Sequence, residues 1–141
     1  MQRFLTFLLL TFFVILLYPF DTAAMDAERA TRPEVDKPKP VTVYYFHTNR
    51  RCKTCLAIER ISRGVVKDSY GDDKRVQFRS VNIEKEKNAA LAERFEVAGS
   101  SLIVSCGKKS TDLTTKAFTY AGSSPGKLQA ALIKTIKKYL K

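Results

Sequence analysis

The sequence predicts an α/β domain of three layers over residues 41–141, a four-stranded mixed sheet flanked by helices in the order β-α-β-α-β-β-α. Three observations predict it. Residues 41–46 are β-branched and aromatic on both faces, as in a central strand covered on each side. Stretches of strand-like and helix-like periodicity then alternate along the chain. Finally, two cysteines open the first helical stretch directly after the first strand.

The elements follow in order. After the strand at 41–46, His47-Thr48-Asn49-Arg50-Arg51 leaves as a polar loop. From Cys52 the pattern is helical: Ile58, Ile61 and Val65 recur at spacings of three and four, and Tyr70-Gly71-Asp72-Asp73 ends the run. Residues 76–82 read as a strand, although the alternation slips phase between Phe78 and Val81. Residues 84–97 hold Ala89, Ala90, Leu91, Ala92 and Phe95 among good helix formers, with Gly99 as a stop. Residues 101–106 read as the third strand, 107–110 as a turn and 116–121 as the fourth strand. Ser124 and Pro125 then stand where a helix cap and first turn belong. Leu128, Leu132, Ile136 and Leu140, spaced by four, form one apolar stripe opposite Lys134, Lys137 and Lys138. That stripe suits packing on the sheet, with contact to a membrane surface as the alternative use.

The first 40 residues lie outside this domain. Residues 1–24 carry a cationic start, an apolar run from 4 to 17, Pro19, and the small residues Thr22-Ala23-Ala24, the pattern of a cleaved signal peptide. An uncleaved anchor is the alternative, since 4–20 nearly spans a bilayer. Residues 25–40, with Pro33, Pro38 and Pro40, read as a flexible leader. Export places the domain outside the cytoplasm, periplasmic or secreted, where disulfides persist; an anchored chain would instead be held at the membrane. The net charge is +11, and removing Arg3 and Asp21 with residues 1–24 leaves it at +11. In an exported chain this charge does not point to nucleic acid. It keeps the surface solvated and suits acidic neighbours.

The chemistry sits in Cys52-Lys53-Thr54-Cys55. A helix N-terminus offers unpaired N–H groups and partial positive charge, so a thiolate placed there is stabilised. Arg50, Arg51 and Lys53 add positive charge, and His47 stands by as a proton donor or acceptor. Cys52 is the expected attacking sulfur. Cys55, one turn deeper, is the resolving one. Cys106 stands alone, about 16 Å along its strand from Ser101 at the usual rise, and reads as a small buried hydrophobe.

The order of elements over about residues 41–140 resembles the thioredoxin fold. So do the segment VQFRSVNIEKEKNAALAERFEV and the approach from Phe95 to Val104. The resemblance is to a divergent exported bacterial branch of that superfamily, not to thioredoxin itself. Those proteins carry a Trp before the first cysteine and Gly-Pro within the pair, where this chain has Arg51 and Lys53-Thr54. They carry a cis-proline facing the dithiol at the position of Ser101 or Ser100, and a buried acid where this chain has Phe46. The resemblance implies a thiol–disulfide oxidoreductase without cofactor or metal, working through Cys52 and Cys55. The residues add His47, beside the dithiol, as a third catalytic candidate, and Arg51, Lys53, Ser100 and Ser101 are the expected substrate contacts. The expected partners are thiol- or disulfide-bearing proteins and a redox partner, met by a monomer that touches a membrane only through its signal peptide or anchor. Two other readings stay open on the residues: a Zn²⁺ or copper site built on the two thiols with His47, and a non-enzymatic module binding a partner or membrane.

Overall fold

The computed structural model describes residues 39–141, so the predicted signal peptide and almost all of the predicted leader lie outside the described residues. Four strands form one sheet in the order β2-β1-β3-β4. Strand β1 (Val41–His47) runs parallel to β2 (Val76–Asn82), and antiparallel to β3 (Ser101–Cys106), which pairs antiparallel with β4 (Lys109–Asp112). Among the described residues four helices accompany the sheet: α1 (Lys53–Tyr70), α2 (Ala89–Arg94), α3 (Thr114–Tyr120) and α4 (Pro125–Leu140). Among the described residues no helix is long and apolar enough to cross a membrane.

The two-faced strand is central, as its composition predicts. Val41, Val43 and Tyr45 point to one face and pack with Ile58, Ile61 and Val65 of α1, Ala117 of α3 and Leu128, Leu132 and Ile136 of α4. Tyr44 and Phe46 point to the other face and pack with Val81 and Ile103. There the short α2 docks through Phe95, whose ring lies 5.1 Å from Tyr44 and 5.7 Å from Phe46. The phase slip in β2 has the same origin. Val76 and Phe78 serve the first face, Val81 and Ile83 the second, so the strand is apolar on one side at each end.

The stripe of α4 lies on the sheet: Leu128, Leu132 and Ile136 are fully buried, each contributing about 1.5–3 kcal/mol of burial. The lysines of this helix are left facing outward. Pro125 is the first helical residue, but the hydroxyl of Ser124 makes no capping bond.

The predicted helix over 84–97 is shorter. A 3₁₀ turn at Glu86–Asn88 leads into α2, and the chain leaves it through Glu96 in the left-handed region (φ 53°). Val97 N–H donates to the Ala92 carbonyl at 3.0 Å and Glu96 N–H to the Glu93 carbonyl at 2.9 Å, a Schellman ending.

The predicted strand over 116–121 is a correction: this segment is helix α3. Leu113, Ala117 and Ala121 recur every four residues and are buried, a helical period. The fourth strand comes earlier because the hairpin turn is only Gly107-Lys108, with Cys106 already paired to Lys109. Strand β4 reads Lys-Ser-Thr-Asp and lies mostly exposed at the sheet edge, so it carries no apolar alternation to announce it.

Candidate functional site

The carboxyl end of β1 delivers the chain through residues 48–51 to the start of α1. Cys52 is the N-cap residue of that helix, in extended conformation (φ −83°, ψ 165°). Its Sγ accepts the backbone N–H of Cys55 at 3.1 Å, the place a Ser or Asp oxygen takes in an ordinary cap. Its carbonyl accepts from Leu56 N–H at 3.0 Å. No acidic residue occupies the first turn, so nothing there opposes negative charge on sulfur. Both cysteines are free thiols; Cys52 is exposed and Cys55 is buried.

Cys55 faces inward, over the end of the sheet. Its Sγ lies 3.9 Å from the hydroxyl of Ser100. Burial alone would raise its thiol, but the contacts from Cys52, Tyr45 and Ser100 outweigh burial and hold it below the ordinary thiol value.

Two residues that no motif singles out complete the site. Tyr45 is fully buried beneath α1. Its hydroxyl meets no partner at ordinary hydrogen-bond geometry, and the side chain packs in the same buried cluster as Cys55. Burial, then Cys55, push its ionisation far above the usual phenol range. Glu59, one turn beyond Cys55, pairs with Arg51, and its other oxygen accepts from Arg63 at 2.6 Å. Desolvation works to raise its carboxyl, yet Arg51, Ser80 and Arg63 together hold it below the usual range. The Arg51 guanidinium also stands 5.7 Å from the centre of the Tyr45 ring.

The structure thus brings Cys52, Cys55 and Ser100 together. Arg51 is turned toward Glu59 and Tyr45, and Lys53 is exposed at the first turn of α1. Ser101 opens β3 and donates to the Gly99 carbonyl at 3.3 Å. No peptide bond among the described residues is cis. His47 ends β1 with Nδ1 2.9 Å from the Thr48 carbonyl and its ring 6.0 Å from that of Tyr45. Phe46, the position at which the resemblance would set a buried acid, points to the opposite face of the sheet; Tyr45 is the β1 residue that packs in the same buried cluster as Cys55. Strand parity could have found it, since 41, 43 and 45 share the face on which Cys55 and Ile58 land. The Arg51–Glu59 pair, eight residues apart across a loop, leaves no such signal. Among the described residues no group of three or more His, Cys, Asp or Glu side chains could hold a metal ion.

Cys106 closes β3 at the opposite end of the sheet, paired with Val41, while Ser101 pairs with Phe46. It is half-buried at the margin of the core rather than enclosed, and its Sγ donates to the Lys39 carbonyl at 3.4 Å.

No family model matches the chain, and no curated protein matches it. Among solved structures, one described as "Structure of a malarial protein" is similar to this chain at 26% identity, over 68% of this chain and 96% of that one, with a TM-score of 0.43.

Proposed function

We propose that the chain is an exported thiol–disulfide oxidoreductase of thioredoxin-like fold, working through the Cys52–Cys55 dithiol. One observation carries this reading. The exposed Cys52 sulfur caps a helix by accepting the N–H of Cys55, and the Cys55 sulfur waits buried one turn deeper. The outer sulfur can reach a substrate disulfide and the inner one cannot, which is the division of labour that exchange requires. Cys52 attacks the substrate disulfide and forms a mixed disulfide. Cys55 then displaces the substrate thiol and leaves the pair oxidised; the reverse sequence delivers the disulfide to a substrate. Arg50 and Lys53 flank Cys52 with positive charge and Leu56, 52% exposed, adds an apolar contact beside it. Protein thiols with acidic surroundings suit that rim. A purely structural disulfide here would close so short a loop that it would stabilise little by chain entropy.

The test is a redox titration of the exported chain against glutathione, read by mass spectrometry of the Cys52–Cys55 peptide. A single reversible two-electron transition supports the reading. A midpoint near about −270 mV marks a reductant, and one near about −120 mV a disulfide donor. Failure of the two sulfurs to join at any glutathione ratio would sink it.

A further inference from the structure

Tyr45 is a large polar side chain of β1, buried on the face of the sheet that carries Cys55. It is 0% exposed, and its hydroxyl is among the few buried polar atoms of the described residues that lack a partner at ordinary geometry. A buried hydroxyl left in that condition destabilises the fold, and such atoms in a native structure call for a reason. It packs in the same buried cluster as Cys55, whose sulfur lies 3.9 Å from the Ser100 hydroxyl, and both groups bear on its ionisation. Its position is fixed from several sides. Strand β1 holds its backbone between Ser80 of β2 and Leu102 of β3, and the Arg51 guanidinium, itself anchored on Glu59, covers its ring.

Cys55 has the opposite need. Its sulfur is buried, and the backbone N–H of Cys55 is spent on the Cys52 sulfur. A charge formed on Cys55 therefore depends on side-chain donors. Resting on the exchange reading above, we propose that Tyr45 is the hydrogen-bond donor that allows the buried Cys55 sulfur to act as an anion when it displaces substrate from Cys52. In that step the Cys55 thiolate, its proton already lost to solvent, attacks Cys52 Sγ of the mixed disulfide. The Cys52–Cys55 bond forms and the bond from Cys52 to the substrate sulfur breaks. The electron pair leaves on the substrate sulfur, which is reduced and takes a proton from water, while the dithiol is oxidised. The phenol keeps its own proton throughout. Burial holds it neutral, so it donates and does not abstract. The contact shortens as charge forms on sulfur, as hydrogen bonds at reacting groups do.

The test uses the full chain carrying Cys106→Ala and one equivalent of dithiobis(nitrobenzoate), an aryl disulfide whose thiolate is coloured. Attack by Cys52 releases the first coloured thiolate and resolution by Cys55 the second. Tyr45→Phe is expected to leave the first release within about twofold and to slow the second about ten- to a hundredfold, the effect of losing a hydrogen bond to a charged group. A folded Tyr45→Phe chain with an unchanged second release overturns the inference and leaves the exchange reading standing. Absence of any second release with Tyr45 intact overturns the exchange reading itself, and this inference with it. A second arm needs no phenylalanine variant to fold. Raising the pH of the reduced chain should shift a tyrosine near-ultraviolet band as the dithiol ionises, and Cys55→Ser should abolish that shift. Identical spectra for the two chains overturn the inference.

Discussion

Free sulfurs lie at both ends of the β1–β3 pair, on the same face of the sheet, and the contrast between them is set by the element that holds each one. At one end Cys52 caps a helix and receives an N–H, with Cys55, Tyr45, Ser100 and the Arg51–Glu59 pair packed behind it. At the other end Cys106 closes a strand, half-buried, and donates an S–H hydrogen bond to the Lys39 carbonyl. A sulfur that accepts an N–H is supported as an anion; a sulfur that donates to a carbonyl is supported as a thiol. The element type decides this. A helix start exposes donors, whereas a strand end leaves a sulfur to whatever carbonyl passes.

The largest expected effect tests that contrast directly. Cys52→Ser should reduce turnover of a disulfide substrate to background, and Cys106→Ala should leave it unchanged, both measured as reduction of a disulfide-bonded protein by the full chain. Loss of turnover in the Cys106→Ala chain would break the comparison.

Much of the first end is legible in the sequence, because it is built from neighbours. The CxxC spacing, the strand before it and the helical period after it are all local, and they place Cys52 and Cys55 correctly relative to α1. What closes the site from behind is legible only in part. Ser100, 45 residues from Cys55, is reached only through the resemblance, which sets Ser101 or Ser100 opposite the dithiol; Glu59, which meets Arg51 across the loop-to-helix corner, is not legible at all. Tyr45 is missed because the resemblance directs attention to Phe46, while strand parity, the physically meaningful count, points to its neighbour. The misread region, 107–121, fails for another reason. An exposed edge strand needs no apolar face, so β4 reads as loop. The true helix α3 is short, and its Leu113, Ala117, Ala121 spacing gives only one turn and a little more of period.

The next effect in size sharpens the active end. Glu59→Gln removes the carboxylate that holds Arg51 over Tyr45 and should lower unfolding stability at neutral pH by about 1.5–3 kcal/mol, the range for hydrogen bonds to charged groups. Urea unfolding measures it. The pH dependence has a definite sign. The Glu59 carboxyl ionises below its usual range in the folded chain, so its contribution is fully present above the usual carboxylate range, about pH 4.3 for Glu. It is lost as the pH falls from there through the lower folded value. The gap between the native chain and Glu59→Gln should therefore close in acid. A gap that is constant from neutral pH to about pH 3 would show that Glu59 acts through packing alone.

The smallest effect belongs to the Cys106 end. Gly107 follows that cysteine with φ +61°, at the first position of the two-residue hairpin loop that joins β3 to β4. Such loops favour glycine there because the backbone must turn with the twist of the strands. A Cβ at Gly107 would also come 2.7 Å from Lys39 Cδ, but that is the far part of a flexible side chain and can move aside. The cost of Gly107→Ala is therefore conformational, about 1–2 kcal/mol for a left-handed residue, and should appear as a lower urea midpoint. The rate of disulfide exchange should not change, because the strained loop and the dithiol sit at opposite ends of β3. A slower exchange rate in a folded Gly107→Ala chain would mean that the two ends communicate through the β1–β3 ladder, and that the contrast drawn between their sulfurs is not purely local.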